Sequence, residues 1–569
     1  MTQLRYVLSF AVFLILHTCL CAQAPAEVLT SYIESEHFEK VYVSLNKPYY
    51  LPDETIYGSI FLVDGHDHQP LLGQVVVTIE LRAPSGDTQL AVVTKVSDGH
   101  GSFSMYLDEV VKEGEYTLTA YTDHMNASTE ADVFQRKLHV VRDIDGNTDD
   151  EAAADKLEVR FFPEGGYSVE GINCKIAFSV SKGGVIGENI TGRIVDSRDS
   201  IITDVNTSKN GIGIFHINAS KNEKYRLVIP AHHGELSFDL PESLQEGYTL
   251  SVNNLKEKQL FIEVVATEKY VERDWELVGH IRGEVFLSKS GSTKKSLLSI
   301  DKKDLPSGVL HFTLFDDQSR PVAERLVYHT NLQEEIGVKM DKSFLYFNHS
   351  DMASLDIGLD SDDEVSGRAS LTIFSNEVRR DLNDQINIKN YLLLQSDLRG
   401  AIPNLGDYTI LETADQRYLM DLLMLTNGWR RFKWVALMSD ESTYEPAMPQ
   451  ELSTIAGNIK SIGKTSCEEV TIRLSAISED IFQSYETVTD EMCQFEFHAV
   501  DLTDTTTIHL SAAIMHPTQD KEIKTFEFMV APSAPLDFDP NHTLSTYSNS
   551  SFRLESTDVA TDNMERLLT

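Results

Sequence analysis

Short runs in which apolar and polar residues alternate dominate this chain. Val75, Val77, Ile79 and Leu81 fall on one side of such a run, and Val76, Thr78 and Glu80 on the other. Phe103, Met105 and Leu107 repeat the pattern, as do Tyr116, Leu118 and Ala120, and then Ile176, Phe178 and Val180. It returns at Leu355, Ile357 and Leu359, at Ala369, Leu371 and Ile373, at Val470, Ile472 and Leu474, and at Phe495, Phe497 and Ala499. Successive side chains of a strand point to opposite faces, so a period of two predicts strands buried on one side. Turn signals such as Pro84-Ser85-Gly86 and Asp98-Gly99 separate the runs. Many short strands at this spacing predict an all-β chain of antiparallel, immunoglobulin-like sandwiches in series.

One stretch breaks the period. Thr413-Ala414-Asp415-Gln416 has the form of a capping box. Tyr418, Leu419, Leu422, Leu425 and Thr426 then share a helical face, and Asn427-Gly428 is the stop. Asn387 to Gln395 predicts a second, shorter helix around Tyr391. The two read as a helical insertion in the fourth sandwich, packed on its edge or bridging to the next domain.

Arg5 followed by the apolar run Val7 to Leu16 is too short to span a bilayer, and Cys21-Ala22-Gln23-Ala24 supplies small residues for cleavage. Residues 1–22 therefore read as a secretory signal. Sandwiches are expected at 36–142, 156–231, 232–331, 335–448 (with the helical insertion) and 452–530. The acidic stretch from Asp143 to Asp155 is a linker, and 531–569 a polar tail. No later run suits a membrane helix, so no transmembrane segment is expected after signal cleavage. Neighbouring sandwiches are expected to touch through small interfaces, as in a rod.

The net charge of −39 argues against nucleic acid as a partner, and against docking on anionic lipid. Past the signal only Cys174, Cys467 and Cys493 occur, which is no disulfide scaffold. Cys467 and Cys493 fall in one expected domain and are candidates to pair in an oxidising compartment. Cys174, inside an alternating strand, reads as a small buried hydrophobe. The chain carries no nucleophile elbow, zinc helix, phosphate loop or dinucleotide loop. No catalytic residue and no cofactor is therefore named.

Three clusters bear on binding. His66 and His68, in Asp64-Gly65-His66-Asp67-His68, are of metal-ligating type. Asp143, Asp145, Asn147 and Asp149 approach the spacing of a calcium loop without its glycine order or closing Glu. The plainer reading of both is a solvated polar loop. Trp429-Arg430-Arg431-Phe432-Lys433-Trp434 is a basic, aromatic spot in an acidic chain. Trp429, Arg430, Arg431 and Trp434 are candidate anchors for an anionic or aromatic partner. The alternative is that the tryptophans pin the segment after the helix into the core.

The segment from Tyr42 to Ile56, with Asn46-Lys47 and Tyr50-Leu51-Pro52-Asp53-Glu54, resembles the opening of the second macroglobulin domain of the alpha-2-macroglobulin family. Asn46 stands where the family has Asp, and Asp53 where it has Gly. Further motifs are similar to those of a bacterial surface group within that family. They are Phe161-Phe162-Pro163-Glu164-Gly165-Gly166-Tyr167, Asn210-Gly211-Ile212-Gly213, Glu324-Arg325-Leu326, Tyr391 to Leu394 with Ser396-Asp397, and Leu422 to Trp434. Members of that group follow macroglobulin-like domains with a module resembling the carboxypeptidase regulatory domain, which Gly457 to Ala512 matches here. Longer members end in the plug domain of TonB-dependent outer-membrane transporters. The likeness covers roughly residues 36 to 530.

The resemblance implies macroglobulin-type sandwiches, closed by a carboxypeptidase-regulatory-like one. It implies a protein exported to the periplasm or cell surface of a Gram-negative bacterium, peripheral to the outer membrane. There it would be a non-catalytic binding scaffold, accessory to a TonB-dependent uptake complex, with the transporter as its protein partner. The alternative is an endopeptidase inhibitor with a protease as partner and a cleavable segment at 143–155 or in the tail. The Cys-Gly-Glu-Gln thioester of macroglobulins does not occur, so such an inhibitor would act without covalent capture.

Overall fold

The computed structural model describes residues 24–35, 37–47, 49–107, 111–127, 133–141, 157–182, 185–208, 210–231, 234–331, 336–340, 355–360, 367–372 and 387–398, most of 402–438, and parts of 455–530. The first element is a helix, α1 (Pro25–Ser35). It is absent from the sequence reading, although Ala26, Leu29 and Ile33 have helical spacing. Leu29 is fully buried against Val278, Phe315, Phe432 and Trp434.

The first sandwich comprises β1 (Glu39–Leu45), β2 (Tyr49–Tyr50), β3 (Thr55–Asp64), β4 (Gln74–Arg82), β5 (Thr88–Ser97), β6 (His100–Tyr106), β7 (Gly114–Thr122), the one-turn helix α2 (Asp123–Ala127) and β8 (Phe134–Val140). The strand order is β1-β3-β6-β5-β4-β7-β8-β2, antiparallel except for β2 on β8. The Asp98-Gly99 turn joins β5 to β6, both residues at positive φ (48° and 74°), as a tight hairpin requires. Val77, Ile79, Leu81, Phe103, Met105, Leu118 and Ala120 are all in the core, as their alternation predicts. Glu80, on the side opposite the apolar stripe, is buried all the same and pairs with the buried Arg82, and Tyr121 donates its hydroxyl to Glu80 at 3.1 Å. In the segment that resembles a macroglobulin opening, Lys47 Nζ meets Glu54 Oε1 at 2.6 Å. Asp53 adopts φ 63°, a left-handed conformation that a glycine would take without strain.

The second sandwich faces β9 (Leu157–Pro163), β10 (Asn173–Lys182), β11 (Val185–Ile186) and β14 (Ile212–Asn218) against β12 (Thr191–Val195), β13 (Ile201–Asn206), β15 (Arg226–Ala231) and β16 (Gly234–Asp239). The β15–β16 hairpin runs in register from Arg226↔Asp239 to Ala231↔Gly234. This corrects the expected boundary at 232, which falls between two strands paired in one ladder of the second sandwich. Cys174 is free and buried in β10, and burial pushes its thiol up to about 12.

The third sandwich joins β17 (Tyr248–Asn253), β18 (Gln259–Ala266) and β21 (Lys295–Asp301) to β19 (Trp275–Ile281), β20 (Glu284–Gly291), β22 (Gly308–Phe315) and β23 (Pro321–His329). Every residue of β22 is buried. A strand covered on both faces implies a further layer, and the helices beyond residue 387 supply it.

Of the expected fourth sandwich, the described residues hold the two-stranded β24 (Gly337–Met340) and β25 (Ile357–Asp360). Ala369–Thr372 carries no strand, contrary to its alternation. Two helices follow: α3 (Ile388–Leu393), capped by Asn387, and α4 (Ala414–Thr426), with the predicted Thr413–Gln416 capping box. A short α5 (Trp434–Leu437) comes next. The last sandwich faces β26 (Ile455–Ser461), β29 (Gln494–Phe497) and β31 (Phe526–Val530) against β27 (Thr471–Ile477), β28 (Phe482–Val488) and β30 (Thr507–Ala513).

Candidate functional site

The helical segment touches three sandwiches, which revises the expectation of small end-to-end contacts. On α3, Tyr391 packs its ring 5.8 Å from Tyr42 and 5.1 Å from Phe134, inside the first core. Leu394, Leu398, Tyr408, Met420, Leu423 and Met424 form one cluster with Val309, Leu326 and Tyr328 of the third sandwich. The Tyr408 hydroxyl accepts from Asn210 Nδ2 of the second at 2.7 Å. On α4 the expected apolar stripe is too narrow. Met420 to Leu425 are all buried, Asp421 among them, because the helix lies between the second and third sandwiches.

Two buried ion clusters close these junctions. In the first, Lys40 Nζ of β1 donates to Asp397 Oδ1 at 2.6 Å and lies 3.1 Å from His68 Nε2. Arg282 Nη1, from the β19–β20 turn, stands 3.5 Å from Asp397 Oδ2. Burial alone would raise the Asp397 pKa, but Lys40 and Arg282 outweigh it and hold the carboxyl down at about 2. His68 is also pushed down to about 2, first by burial and then by Lys40 and Arg282. It therefore remains neutral and accepts from Lys40. His66 and Arg282 exchange backbone contacts: His66 Nδ1 meets the Arg282 carbonyl at 3.1 Å, and Arg282 Nε donates to the His66 carbonyl at 2.6 Å.

In the second cluster Arg325 of β23 is fully enclosed. Its Nε donates to Glu164 Oε1 at 3.0 Å and its Nη2 to Asp421 Oδ1. Lys175 Nζ lies 3.5 Å from Glu164 and 3.6 Å from Asp421. Burial opposes the charge of Arg325, yet Asp421 and Glu164 overcome it and raise its pKa. Gly165 fits because its φ is +84° and an added Cβ would sit 2.9 Å from the Leu250 carbonyl. A cleft of about 380 Å³ opens beside the cluster, lined by Glu164, Lys175, His216, Ser251, Tyr418 and Asp421 among others. Its Glu164 and Asp421 carboxylates are already committed to Arg325 and Lys175, and its Glu263 to Lys295 at 2.7 Å.

These placements decide several candidates. His66 joins the third sandwich through Arg282, and His68 meets Lys40 within the first sandwich, beside that junction. No group of three metal-ligating side chains occurs among the described residues. Trp434 is not a surface anchor: it is 1% exposed, its Nε1 donates to Thr313 Oγ1 at 3.1 Å, and its ring meets Phe315 and Phe432 edge-on. Apolar neighbours on α1 and β22 draw it inward, so the core reading of this tryptophan holds. Trp429, Arg430 and Arg431 lie outside the described residues, as do Asp143, Asp145, Asn147 and Asp149. Cys493 is disulfide-bonded, while Cys467, its suggested partner, also lies outside them. The junction groups Lys40, Arg282, Glu164, Arg325, Asp397 and Asp421 were not singled out as a site. Three of the six, Glu164, Arg325 and Asp397, nevertheless sit in the motifs that carried the family resemblance.

No family model matches the chain, and no curated protein matches it. Among solved structures, the native E. coli alpha-2-macroglobulin is 9% identical, over 54% of this chain and 24% of its own, with a TM-score of 0.16. Salmonella alpha-2-macroglobulin reacted with methylamine is 9% identical, over 87% of this chain and 38% of its own, with a TM-score of 0.16. The BSP domain of a biofilm associated protein is 9% identical, over 55% and 69%, with a TM-score of 0.18. The chain thus spans 24% and 38% of the two macroglobulins. The chain's own strands and sheets make it all-β, with immunoglobulin-like sandwiches in series. Among the described residues no helix is long and apolar enough to cross a membrane.

Proposed function

We propose that this chain is an exported, non-catalytic binding scaffold that works beside a TonB-dependent transporter at the outer membrane of a Gram-negative bacterium. The observation that carries the reading is the use made of the buried ionisable groups. Lys40, Asp397, Arg282, Glu164, Arg325 and Asp421 are spent on one another across domain junctions. Catalytic sites leave such groups free to meet a substrate, with pKa values set near the working pH. Here the Asp397 carboxyl and the His68 imidazole are each driven to about 2, far from that range. A braced set of sandwiches suits the presentation of a surface. The signal-like N-terminus and the motifs similar to plug-bearing surface proteins support the compartment and the partner.

The test is to purify the tagged mature protein from detergent-solubilised envelopes and identify what accompanies it by mass spectrometry. A stoichiometric outer-membrane transporter is the expected result. Recovery of a protease instead, with cleavage of the chain between 143 and 155, would overturn the transporter reading in favour of a thioester-free inhibitor.

A further inference from the structure

The outer face of β1, β3 and β6 holds a groove of about 500 Å³. The ladder register sets Ser44, Ser59 and Ser102 side by side, and Tyr57 beside Ser104. Alternation turns these residues outward while Val43, Ile60 and Phe103 turn into the core. Between the outward Tyr57 and Ser59, Gly58 leaves its core side to Phe103; a Cβ there would lie 2.1 Å from that ring. The segment Ser370-Leu371-Thr372 walls the far side, and Thr372 Oγ1 approaches the Leu45 carbonyl at 3.4 Å. Tyr57 stands 57% exposed, and Tyr106 is comparably open on the same face.

The chemistry of this lining is unlike the rest of the molecule. About one residue in four of the chain is charged, yet no residue lining the groove is. An ionic ligand would lose water here and meet no counter-charge, a large cost. The wall groups are instead hydroxyls, which both donate and accept, together with the Asn46 amide. Asn46 Oδ1 is held by the Tyr50 hydroxyl at 2.6 Å and the Tyr57 amide at 3.1 Å, which fixes its orientation. An exposed tyrosine adds a flat apolar face with a polar tip. The volume lies within the roughly 300–1,000 Å³ of small-molecule sites.

We propose that this groove binds a neutral oligosaccharide, its hydroxyls bonded by Ser44, Ser59, Ser102 and Ser104 and a ring face stacked on Tyr57. This names a ligand class for the scaffold and so rests on that reading, although it needs no transporter. The intact mature protein would be screened on an array of neutral and charged glycans, and hits measured by calorimetry with the free oligosaccharide. Binding to neutral glycans is expected, with Tyr57→Ala weakening it about tenfold, as the loss of one stacking contact would. Ser102→Glu, which brings a charge into the trough, should abolish it. Tyr167→Ala, at an equally exposed tyrosine of the second sandwich, should leave it unchanged. Thermal melts of each variant separate lost binding from lost folding. Three results would overturn the proposal: no neutral glycan bound, binding confined to charged glycans, or affinity indifferent to both Tyr57→Ala and Ser102→Glu. Copurification of a transporter with Tyr57→Ala tests the scaffold reading separately, since that variant spares every junction.

Discussion

The two buried ion clusters do the same mechanical work with different chemistry. The Arg325 cluster joins the second and third sandwiches to α4 through a guanidinium and two carboxylates. The Lys40 cluster joins the first sandwich to the third and to the turn after α3, and it adds an imidazole. Arginine stays charged at any pH a cell meets. Histidine ordinarily titrates near 6.5, so one junction carries a group sensitive to mild acid and the other does not. The comparison shows that equal burial does not mean equal robustness.

The largest effect should come from breaking the Arg325 cluster. Arg325→Ala leaves Glu164 and Asp421 buried with Lys175, 3.5 and 3.6 Å away, as the one cation of the cluster, and should cost about 3–5 kcal/mol in chemical denaturation. Replacing Arg325, Glu164 and Asp421 together by apolar residues of similar size should restore much of that loss, because the charge then left without these partners is that of the less deeply buried Lys175. Little recovery in the triple variant would show that the pairing itself supplies the stability. Trp434→Ala should cost a similar 3–5 kcal/mol from the cavity and the lost bond to Thr313, yet leave partner binding intact. Weaker partner binding at unchanged folding would return Trp434 to the surface role first expected of it.

Acid comes next. Unfolded His68 takes up a proton below about 6.5, whereas folded His68 stays neutral until about 2. Between those values the unfolded state binds more protons, so stability falls as the pH drops, by about 2 kcal/mol at pH 5. Asp397 works in a lower window: its depressed pKa adds stability that is lost only as the pH falls from its usual value near 4 towards 2. Denaturation at pH 7 and pH 5 should therefore differ, and His68→Gln should flatten the difference. An unchanged slope in that variant would place the acid-sensitive group elsewhere. The smallest effect belongs to Asn210→Ala, about 1 kcal/mol for the bond to Tyr408, measured the same way.

Much of the fold was legible because it is written locally. Strands such as β4, β7 and β10 announce themselves by a period of two, and α4 by its capping box. The junctions are not local. Lys40 and Asp397 are 357 positions apart, and Arg325 and Glu164 are 161. A charged residue in a strand reads as a solvent-facing position until its distant partner is placed. Asp421 looked like the polar side of an amphipathic helix for the same reason. The junction glycine Gly165 and its neighbour Glu164 were noticed as part of a motif, but only the positive φ and the approach of Leu250 explain the pair. The α1 helix escaped notice because it lies between the expected signal and the first expected strand, although Leu29 and Ile33 offered a readable stripe.

The central claim is that the helical segment and its two ion clusters make the first three sandwiches one mechanical unit. Hydrogen exchange on the intact mature protein, with and without Arg325→Ala, tests it most directly. The account predicts that the amides of β1, β10, β22 and α4 are protected to a common level, and that Arg325→Ala lowers protection in all four. Independent levels in each sandwich, with the variant loosening only β10 and β23, would contradict it.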